Sequence, residues 1–244
     1  MNPAPGRAAG ETRTPSGPDI VAFPGAGSFG GELKTVVQEF EPSARLLHYP
    51  GRFGRDFGRG AGSFDAVVEH CLALLARREP RRPVLVGHSF GAYVAYAVAA
   101  RLEERGAEVA ALVVVGATAP SLLTVPESVT TSRSDLVAYL ADLAPDADVS
   151  DEWREATLDL AMQDLRVLRE FAAAEHGRLR CPIHAARGDR DRLASTDGIG
   201  AWGSVTLAAH THRVFAGDHS DVLHGAEFLS WLREISVGAD AERV

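Results

Sequence analysis

The sequence has 244 residues, of which 45% are hydrophobic and 24% charged, a composition typical of one water-soluble globular domain. The balance of 25 Lys and Arg residues against 33 Asp and Glu residues gives a net charge of -8, which excludes the basic surface of a nucleic-acid-binding protein. No apolar run approaches the roughly 20 residues that cross a bilayer, so we expect no contact with a membrane.

The two cysteines, Cys71 and Cys181, are too few for a disulfide framework, and neither belongs to a CxxC pair of the kind that binds zinc. This cysteine usage predicts a cytoplasmic protein. Residues 1–17 are rich in Pro, Gly, Ala and Thr and lack the apolar core of a signal peptide, so they predict a flexible tail. We expect the folded domain to cover residues 18–244.

Strands and helices alternate along most of the chain. Short apolar runs predict buried strands at residues 20–23, 46–49, 83–86, 109–115, 183–186 and 211–215. Apolar residues three and four positions apart predict helices at residues 64–75, 92–102 and 222–235. This alternation predicts an α/β fold with a mainly parallel central sheet flanked by helices on both faces. Between residues 118 and 178 the strand signal disappears, and helices predicted at residues 134–143 and 152–174 indicate a helical insertion.

The segment Gly87-His88-Ser89-Phe90-Gly91 fits the pattern G-x-S-x-G, in which a serine occupies a sharp strand-to-helix turn that exposes its hydroxyl. The pattern alone is weak evidence, but the segments around it are those that a nucleophile turn requires. An apolar run precedes the motif, and a helix-forming run follows it. Ser89 is therefore the predicted nucleophile.

A serine hydroxyl attacks well only when a histidine takes its proton and a carboxylate orients that histidine. In folds with this serine turn, the acid precedes the histidine in the chain. Asp191, just beyond the strand at residues 183–186, is the predicted acid. Asp189 is the alternative, and we interpret it as a solvated turn residue.

His219 is the predicted base because it follows the strand at residues 211–215, and catalytic groups of open α/β sheets gather at the carboxyl ends of the strands. His210 and His212 precede that end of the strand, and His224 remains a third rival. A metallohydrolase built on His210, His212 and the Asp218-His219 pair is disfavoured, because a whole strand separates the two groups.

A tetrahedral intermediate needs two backbone N–H donors. The first is the residue after the nucleophile, Phe90, and the second comes from the glycine-rich loop at residues 23–28, where Ala26 is the predicted donor.

Together these segments resemble the α/β-hydrolase superfamily, and more narrowly the type II thioesterases that accompany polyketide synthases and nonribosomal peptide synthetases. The matching segments, which run in order over nearly the whole chain, are residues 23–27, 49–52 with Arg55, 87–92, 188–191 and 217–219. The resemblance implies an α/β-hydrolase fold in which the insertion, about residues 120–176, is a helical lid. It implies no metal or redox cofactor.

The function that this resemblance implies is hydrolysis of an acyl thioester on the phosphopantetheine arm of an acyl or peptidyl carrier protein, for editing or release. Ser89 would attack the carbonyl with His219 as base and Asp191 as its orienting acid, while the N–H groups of Ala26 and Phe90 hold the oxyanion.

Three further residues are expected at the substrate. Gly25 stands where the family often has a histidine, in the loop that carries the predicted oxyanion donor. Arg52 and Arg55 follow a strand end and are expected at the mouth of the site, facing an acidic carrier surface or the pantetheine phosphate. Solvated loop arginines are an equally weighted alternative.

Three other functions stay open at this point. One is an acyltransferase of the malonyl-loading kind, although Ala92 stands where those enzymes usually have glutamate. The second is a generic esterase of the same fold. The third is a catalytically inactive binding protein, which the complete set of Ser89, Asp191 and His219 disfavours.

Overall fold

The computed structural model of the protein describes residues 18–140 and 151–241. Its strands are β1 (Ile20–Phe23), β2 (Ala44–Leu46), β3 (Val84–His88), β4 (Ala111–Val115), β5 (Ile183–Gly188) and β6 (His210–Phe215). They form one parallel sheet in the order β2-β1-β3-β4-β5-β6. The predicted α/β class with a parallel central sheet is confirmed.

The helices are α1 (Lys34–Glu39), α2 (Phe64–Ala76), α3 (Phe90–Glu104), α4 (Ser128–Thr131), α5 (Arg133–Leu140), α6 (Asp151–Ala172), α7 (Thr196–Gly200) and α8 (Ala226–Ala241). The apolar residues of α2, α3, α6 and α7 belong to one core cluster, and those of α1 and α8 belong to a second. Helices therefore cover both faces of the sheet.

The central strands have no polar face because each one contributes to both clusters. In β3, Leu85 packs into the first cluster while Val84 and Val86 pack into the second. Successive side chains of a strand point to opposite faces, so a strand covered on both sides must be apolar throughout. This is why these strands appear in the sequence as short, unbroken apolar runs.

The second strand lies earlier than the apolar run at residues 46–49 predicts. It pairs with β1 only as far as Leu46, whose register partner is Ala22. Leu47 and Tyr49 are nevertheless buried, at 4% and 2% exposure, because they pack into the core from the loop that follows. Hydrophobicity signals burial and does not distinguish a paired strand from a packed loop.

The closing helix differs from the prediction in a similar way. The predicted helix at residues 222–235 is divided into a 3₁₀ turn at Asp221–His224 and α8, with Gly225 in an extended conformation between them. Val222 and Leu223 are fully buried in the turn, so they add to the apolar pattern without continuing the helix.

The helical insertion contains α4, α5 and α6, and α6 packs against α2 and α3. The last three residues of the predicted helix at residues 134–143 lie outside the described part of the chain, as do residues 1–17 of the predicted tail. Within residues 18–140 and 151–241, no helix is both long and apolar enough to cross a membrane.

Candidate active site

Ser89 lies on a strained turn between β3 and α3. Its φ of 53° and ψ of -120° fall outside the regions that a side chain with a Cβ prefers. The turn is held by the Ser89 N–H, which donates to the Val115 carbonyl at 2.8 Å. Gly91 allows the turn to pass against β1, since a Cβ there would lie 2.6 Å from the carbonyl carbon of Phe23. This is the strand-to-helix turn that the G-x-S-x-G pattern predicts.

His219 and Asp191 meet beneath this turn. The Nδ1 atom of His219 lies 3.0 Å from Oδ2 of Asp191, and the two residues are 2% and 5% exposed. The other carboxylate oxygen of Asp191 accepts the N–H groups of Leu193 at 2.8 Å and Ala194 at 3.2 Å. The histidine ring also lies 4.8 Å, between centroids, from the ring of His88, the residue before the serine.

The pKa shifts of this pair suit a base and its orienting acid. Burial raises the pKa of Asp191, but the hydrogen bond and charge of His219, with the two backbone N–H groups, outweigh it and leave the pKa below 3.8. Burial lowers the pKa of His219 below 6.5, and Asp191 only partly opposes this effect. At neutral pH the carboxylate is ionised, the imidazole is neutral, and Nδ1 donates to Asp191.

With its Nδ1 proton shared with Asp191, the neutral ring of His219 carries a lone pair on Nε2. Nε2 is buried and has no hydrogen-bond partner among the residues that the structure describes. A buried, unpartnered imidazole nitrogen is available to accept a proton from a hydroxyl that approaches it.

Gly116, which directly follows β4, is a site residue that the sequence analysis missed. A Cβ at this position would lie 2.8 Å from Cε1 of His219 and 3.3 Å from Oδ2 of Asp191. Its φ of +64° also favours glycine. The only signal in the sequence is a glycine at the end of a buried strand, which many turns share.

Side-chain contacts, together with a hydrogen bond from the Arg190 N–H to the Gly217 carbonyl at 3.0 Å, bind the Asp191 loop to the His219 loop. The N–H of Gly217 donates to Oδ1 of Asp189 at 2.9 Å, and Nε of Arg190 lies 2.9 Å from Oδ1 of Asp218. The Asp189 side chain is 52% exposed, yet it links the two loops, so it is more than the solvated turn residue expected from sequence.

The predicted oxyanion donors lie on neighbouring loops. In the sheet, Phe23 of β1 is the register partner of Gly87 in β3, which places the loop after β1 beside the serine turn. Gly25 is buried there, and a Cβ on it would lie 3.7 Å from Cβ of Ser89. Among the described residues, the N–H groups of Ala26 and Phe90 have no hydrogen-bond acceptor.

A cavity of about 250 Å³ opens at Ser89. Most of its lining side chains are apolar, and polar and apolar atoms contribute about equally to its exposed wall. The lining residues come from the serine turn, the loop after β4 and the helical insertion. Lining residues from the insertion include Tyr139, Leu140, Leu165 and Leu168. The position of the cavity brings the predicted nucleophile, both predicted oxyanion donors and apolar side chains to one place.

The two arginines expected at the mouth of the site have different environments. Arg52 is 1% exposed and forms a buried ion pair with Asp164 of α6, and its Nε atom donates to the Ser28 carbonyl at 3.1 Å. This placement differs from the expected one, because the guanidinium has no access to an external anion. Arg55 is exposed on the 3₁₀ turn Gly54–Asp56.

The histidines of the rejected metal site do not converge with a third ligand. His210 and His212 stack on each other along β6, with ring centroids 5.7 Å apart. No group of three His, Cys, Asp or Glu side chains able to hold a metal ion occurs within residues 18–140 and 151–241.

Among proteins built on a parallel sheet with helices on both faces, a serine on such a turn above a histidine–carboxylate pair is typical of the α/β-hydrolases. The thioesterase domain family matches residues 18–235. This chain therefore belongs to the thioesterase family and is a hydrolase that acts on thioesters, as the resemblance predicted.

Known relatives agree with this assignment. Thioesterase TesA of Mycobacterium leprae is 28% identical over 218 residues, which cover 86% of this chain and 82% of that protein. Thioesterase PikA5 of Streptomyces venezuelae is 29% identical over 213 residues, covering 82% and 74%. The structure of BorB, the type II thioesterase from the borrelidin biosynthetic cluster, superimposes with a TM-score of 0.80 at 29% identity, covering 91% of this chain and 94% of that one.

Proposed function

We propose that this protein hydrolyses acyl thioesters carried on the phosphopantetheine arm of carrier proteins in polyketide or nonribosomal peptide synthesis. The observation that carries the proposal is the buried His219–Asp191 pair beside Ser89, at a cavity, in a chain of the thioesterase family. The apolar side chains that line part of the cavity suit an acyl chain, and the cavity places that chain within reach of the serine.

In the proposed reaction, Ser89 Oγ attacks the thioester carbonyl carbon while Nε2 of His219 takes the hydroxyl proton. The N–H groups of Ala26 and Phe90 stabilise the oxyanion that forms. His219 then gives its proton to the departing pantetheine sulfur, and an acyl-serine remains. A water molecule, deprotonated by His219, attacks this ester, and collapse of the second intermediate releases the acid and the serine. Asp191 stabilises the imidazolium in both halves.

The partner in this proposal is an acyl or peptidyl carrier protein, and the helical insertion acts as a lid over its acyl group. Gly25 gives the substrate room beside Ser89, and exposed Arg55 is positioned to meet an acidic carrier surface. We propose a cytoplasmic location because both cysteines are unpaired and buried, which suits a reducing compartment.

The test compares wild type with Ser89→Ala on a panel of acyl-phosphopantetheinyl carrier proteins, measured by mass spectrometry beside p-nitrophenyl esters. A matched control is Ser204→Ala, because Ser204 is exposed and, within the described part of the chain, its hydroxyl donates only to the local Ala201 carbonyl. We expect Ser204→Ala to behave as wild type and Ser89→Ala to lose turnover while it stays folded.

Each alternative function predicts a different result. Deacylation of carriers that is faster than ester cleavage and depends on Ser89 supports the proposal. Ester cleavage with intact acyl carriers indicates a generic esterase, and transfer of the acyl group to a second thiol indicates an acyltransferase. Absence of a covalent adduct at Ser89 after treatment with a fluorophosphonate would favour an inactive binding protein.

A further inference from the structure

The loop that carries the predicted oxyanion donor is held on both sides by carboxylates. The N–H of Gly25 donates to Oε1 of Glu32 at 2.9 Å, and the N–H of Gly27 donates to Oδ2 of Asp164 at 2.8 Å. Ala26, between these two glycines, keeps its own N–H without an acceptor among the residues described here. Of these three consecutive N–H groups, those of Gly25 and Gly27 are hydrogen-bonded to carboxylates, and that of Ala26 is left for a ligand.

We propose that Glu32 and Asp164 are positioning residues that orient the Ala26 N–H toward the oxyanion. The inference rests on the proposed function, because it assumes that a tetrahedral intermediate forms at Ser89. Neither carboxylate lines the cavity, so each acts through the loop and not by touching substrate.

Glu32 also lies next to His88, the residue before Ser89. Its second oxygen accepts the Ser28 hydroxyl at 2.5 Å, and its first lies 3.7 Å from Nδ1 of His88. Nε2 of His88 in turn donates to the His219 carbonyl at 3.1 Å. The carboxylate is 14% exposed, and burial raises its pKa, but His88, Ser28 and the Gly25 N–H outweigh this effect and bring the pKa to about 2. Glu32 is thus charged at neutral pH.

Asp164 holds the other side of the loop from the helical insertion. It lies on α6, its side chain is 2% exposed, and it forms an ion pair with the fully buried Arg52. The same guanidinium donates to the Ser28 carbonyl at 3.1 Å, so the pair holds the loop through two backbone groups. Helix α6 also packs tightly there, since a Cβ on Gly27 would lie 2.6 Å from the Thr157 carbonyl oxygen.

A preorganised donor stabilises the transition state because it needs no reorientation when the oxyanion forms, and loss of one such donor lowers kcat by about 10²- to 10³-fold. Loosening the loop leaves the donor present but less well directed, so we expect a smaller loss, about 10- to 100-fold. Because substrate binding does not use the oxyanion contact fully, KM should change little.

The first experiment measures kcat and KM on a p-nitrophenyl ester, together with inhibition by an alkylboronic acid, which forms a tetrahedral adduct on the serine. Glu32→Leu removes both hydrogen bonds, whereas Glu32→Gln keeps an oxygen for Gly25 and a polar group for Ser28. The matched control is Glu39→Gln, on the following helix α1, where Glu39 pairs with the exposed Arg233. If Glu32→Leu does not fold, Glu32→Asp takes its place. The shorter side chain withdraws the carboxylate by one methylene, and we expect the same fall in kcat and boronate affinity.

The second experiment makes the same measurements on the insertion side. Asp164→Leu combined with Arg52→Met replaces the buried ion pair by apolar side chains, an exchange that proteins often tolerate without loss of stability. The control is Asp159→Asn, because Asp159 lies on the same helix but pairs with Arg133 at the surface.

We expect kcat and boronate affinity to fall together, by about 10- to 100-fold, in Glu32→Leu and in the double variant. Glu32→Gln should lose less, and KM should stay within about threefold. Folded variants with unchanged kcat and boronate affinity overturn the inference while the proposed function stands. If wild type itself gives no fluorophosphonate adduct at Ser89, the proposed function fails and this inference fails with it.

Discussion

A single methyl group at Gly116 is expected to disable the site without unfolding the protein. Gly116 has a φ of +64°, and a Cβ there would lie 2.8 Å from Cε1 and 3.0 Å from Nδ1 of His219. Gly116→Ala places that methyl directly against the predicted base, whose ring also packs against His88. The ring can relieve the contact only by moving away from its present position above Asp191.

The size of the effect follows from these distances. Ordinary van der Waals contact begins at 3.4 Å, so the His219 ring must move by about 0.6 Å from the 2.8 Å that its Cε1 would have to the new Cβ. Displacement of a catalytic group by about 1 Å costs about 10²-fold in rate, so we expect kcat to fall by about 10- to 100-fold. The left-handed backbone adds a stability loss of about 1–2 kcal/mol for alanine, which lowers Tm by about 2–8 °C in a chain of this size.

Gly106→Ala separates the two effects. Gly106 has a φ of +80°, and nothing lies within 4 Å of a Cβ built on it. The Gly106→Ala variant should therefore lose a similar amount of stability and keep the wild-type kcat. The assay is ester hydrolysis with calorimetric unfolding of both variants. A kcat for Gly116→Ala that equals that of Gly106→Ala would refute the reasoning, because the contact with His219 would then have no consequence.

Three further predictions concern the site and the core. Asp191→Asn should lower kcat by about 10³- to 10⁴-fold, because an amide N–H facing the imidazole favours the wrong tautomer. Asp189→Asn is the comparison, and equal losses of kcat in both variants would contradict the assignment of Asp191 as the acid. Because burial lowers the pKa of His219 below 6.5, the predicted base stays neutral to a lower pH. The acid-side midpoint of the kcat/KM profile should therefore lie below pH 6.5, and a midpoint above 6.5 would contradict this pKa shift. Glu32 has a folded pKa of about 2 against an ordinary 4.5, so it contributes stability above pH 4.5 that is lost as the pH falls toward 2, on the order of 3 kcal/mol. Urea unfolding of Glu32→Gln should therefore show a weaker loss of stability over that range, whereas parallel curves for variant and wild type would contradict it.

The local pattern was sufficient to predict the sheet and the serine turn. A strand covered on both faces must be apolar along its whole length, and β3 is buried at every position, so its signal is contained in a few neighbouring residues. Ser89 could be predicted as the nucleophile for the same reason, since the glycines, the preceding strand and the following helix are all contiguous with it. Placement of Asp191 and His219 needed one more rule, that loops at the carboxyl ends of parallel strands meet at one edge.

The same local reasoning misplaced β2 and the start of the last helix. Leu47 and Tyr49 are buried by packing from a loop, and Val222 is buried in a 3₁₀ turn. Apolar residues indicate that a segment is buried, but whether the segment pairs as a strand depends on where the neighbouring strand ends. In the structure, the pairing of β1 and β2 stops at Leu46.

Polar residues around the site were beyond prediction because their partners are distant in the chain. Arg52 meets Asp164, 112 residues away, and a loop arginine is ordinarily solvated. Glu32 and Gly116 belong to no recognisable motif. The sequence by itself determined the parallel sheet, the strained turn at Ser89 and the loops that carry Asp191 and His219, since these depend on local periodicity and strand order. Only the tertiary structure decided which charges are buried against the oxyanion loop, because a buried charge is stable only where folding brings a partner to it.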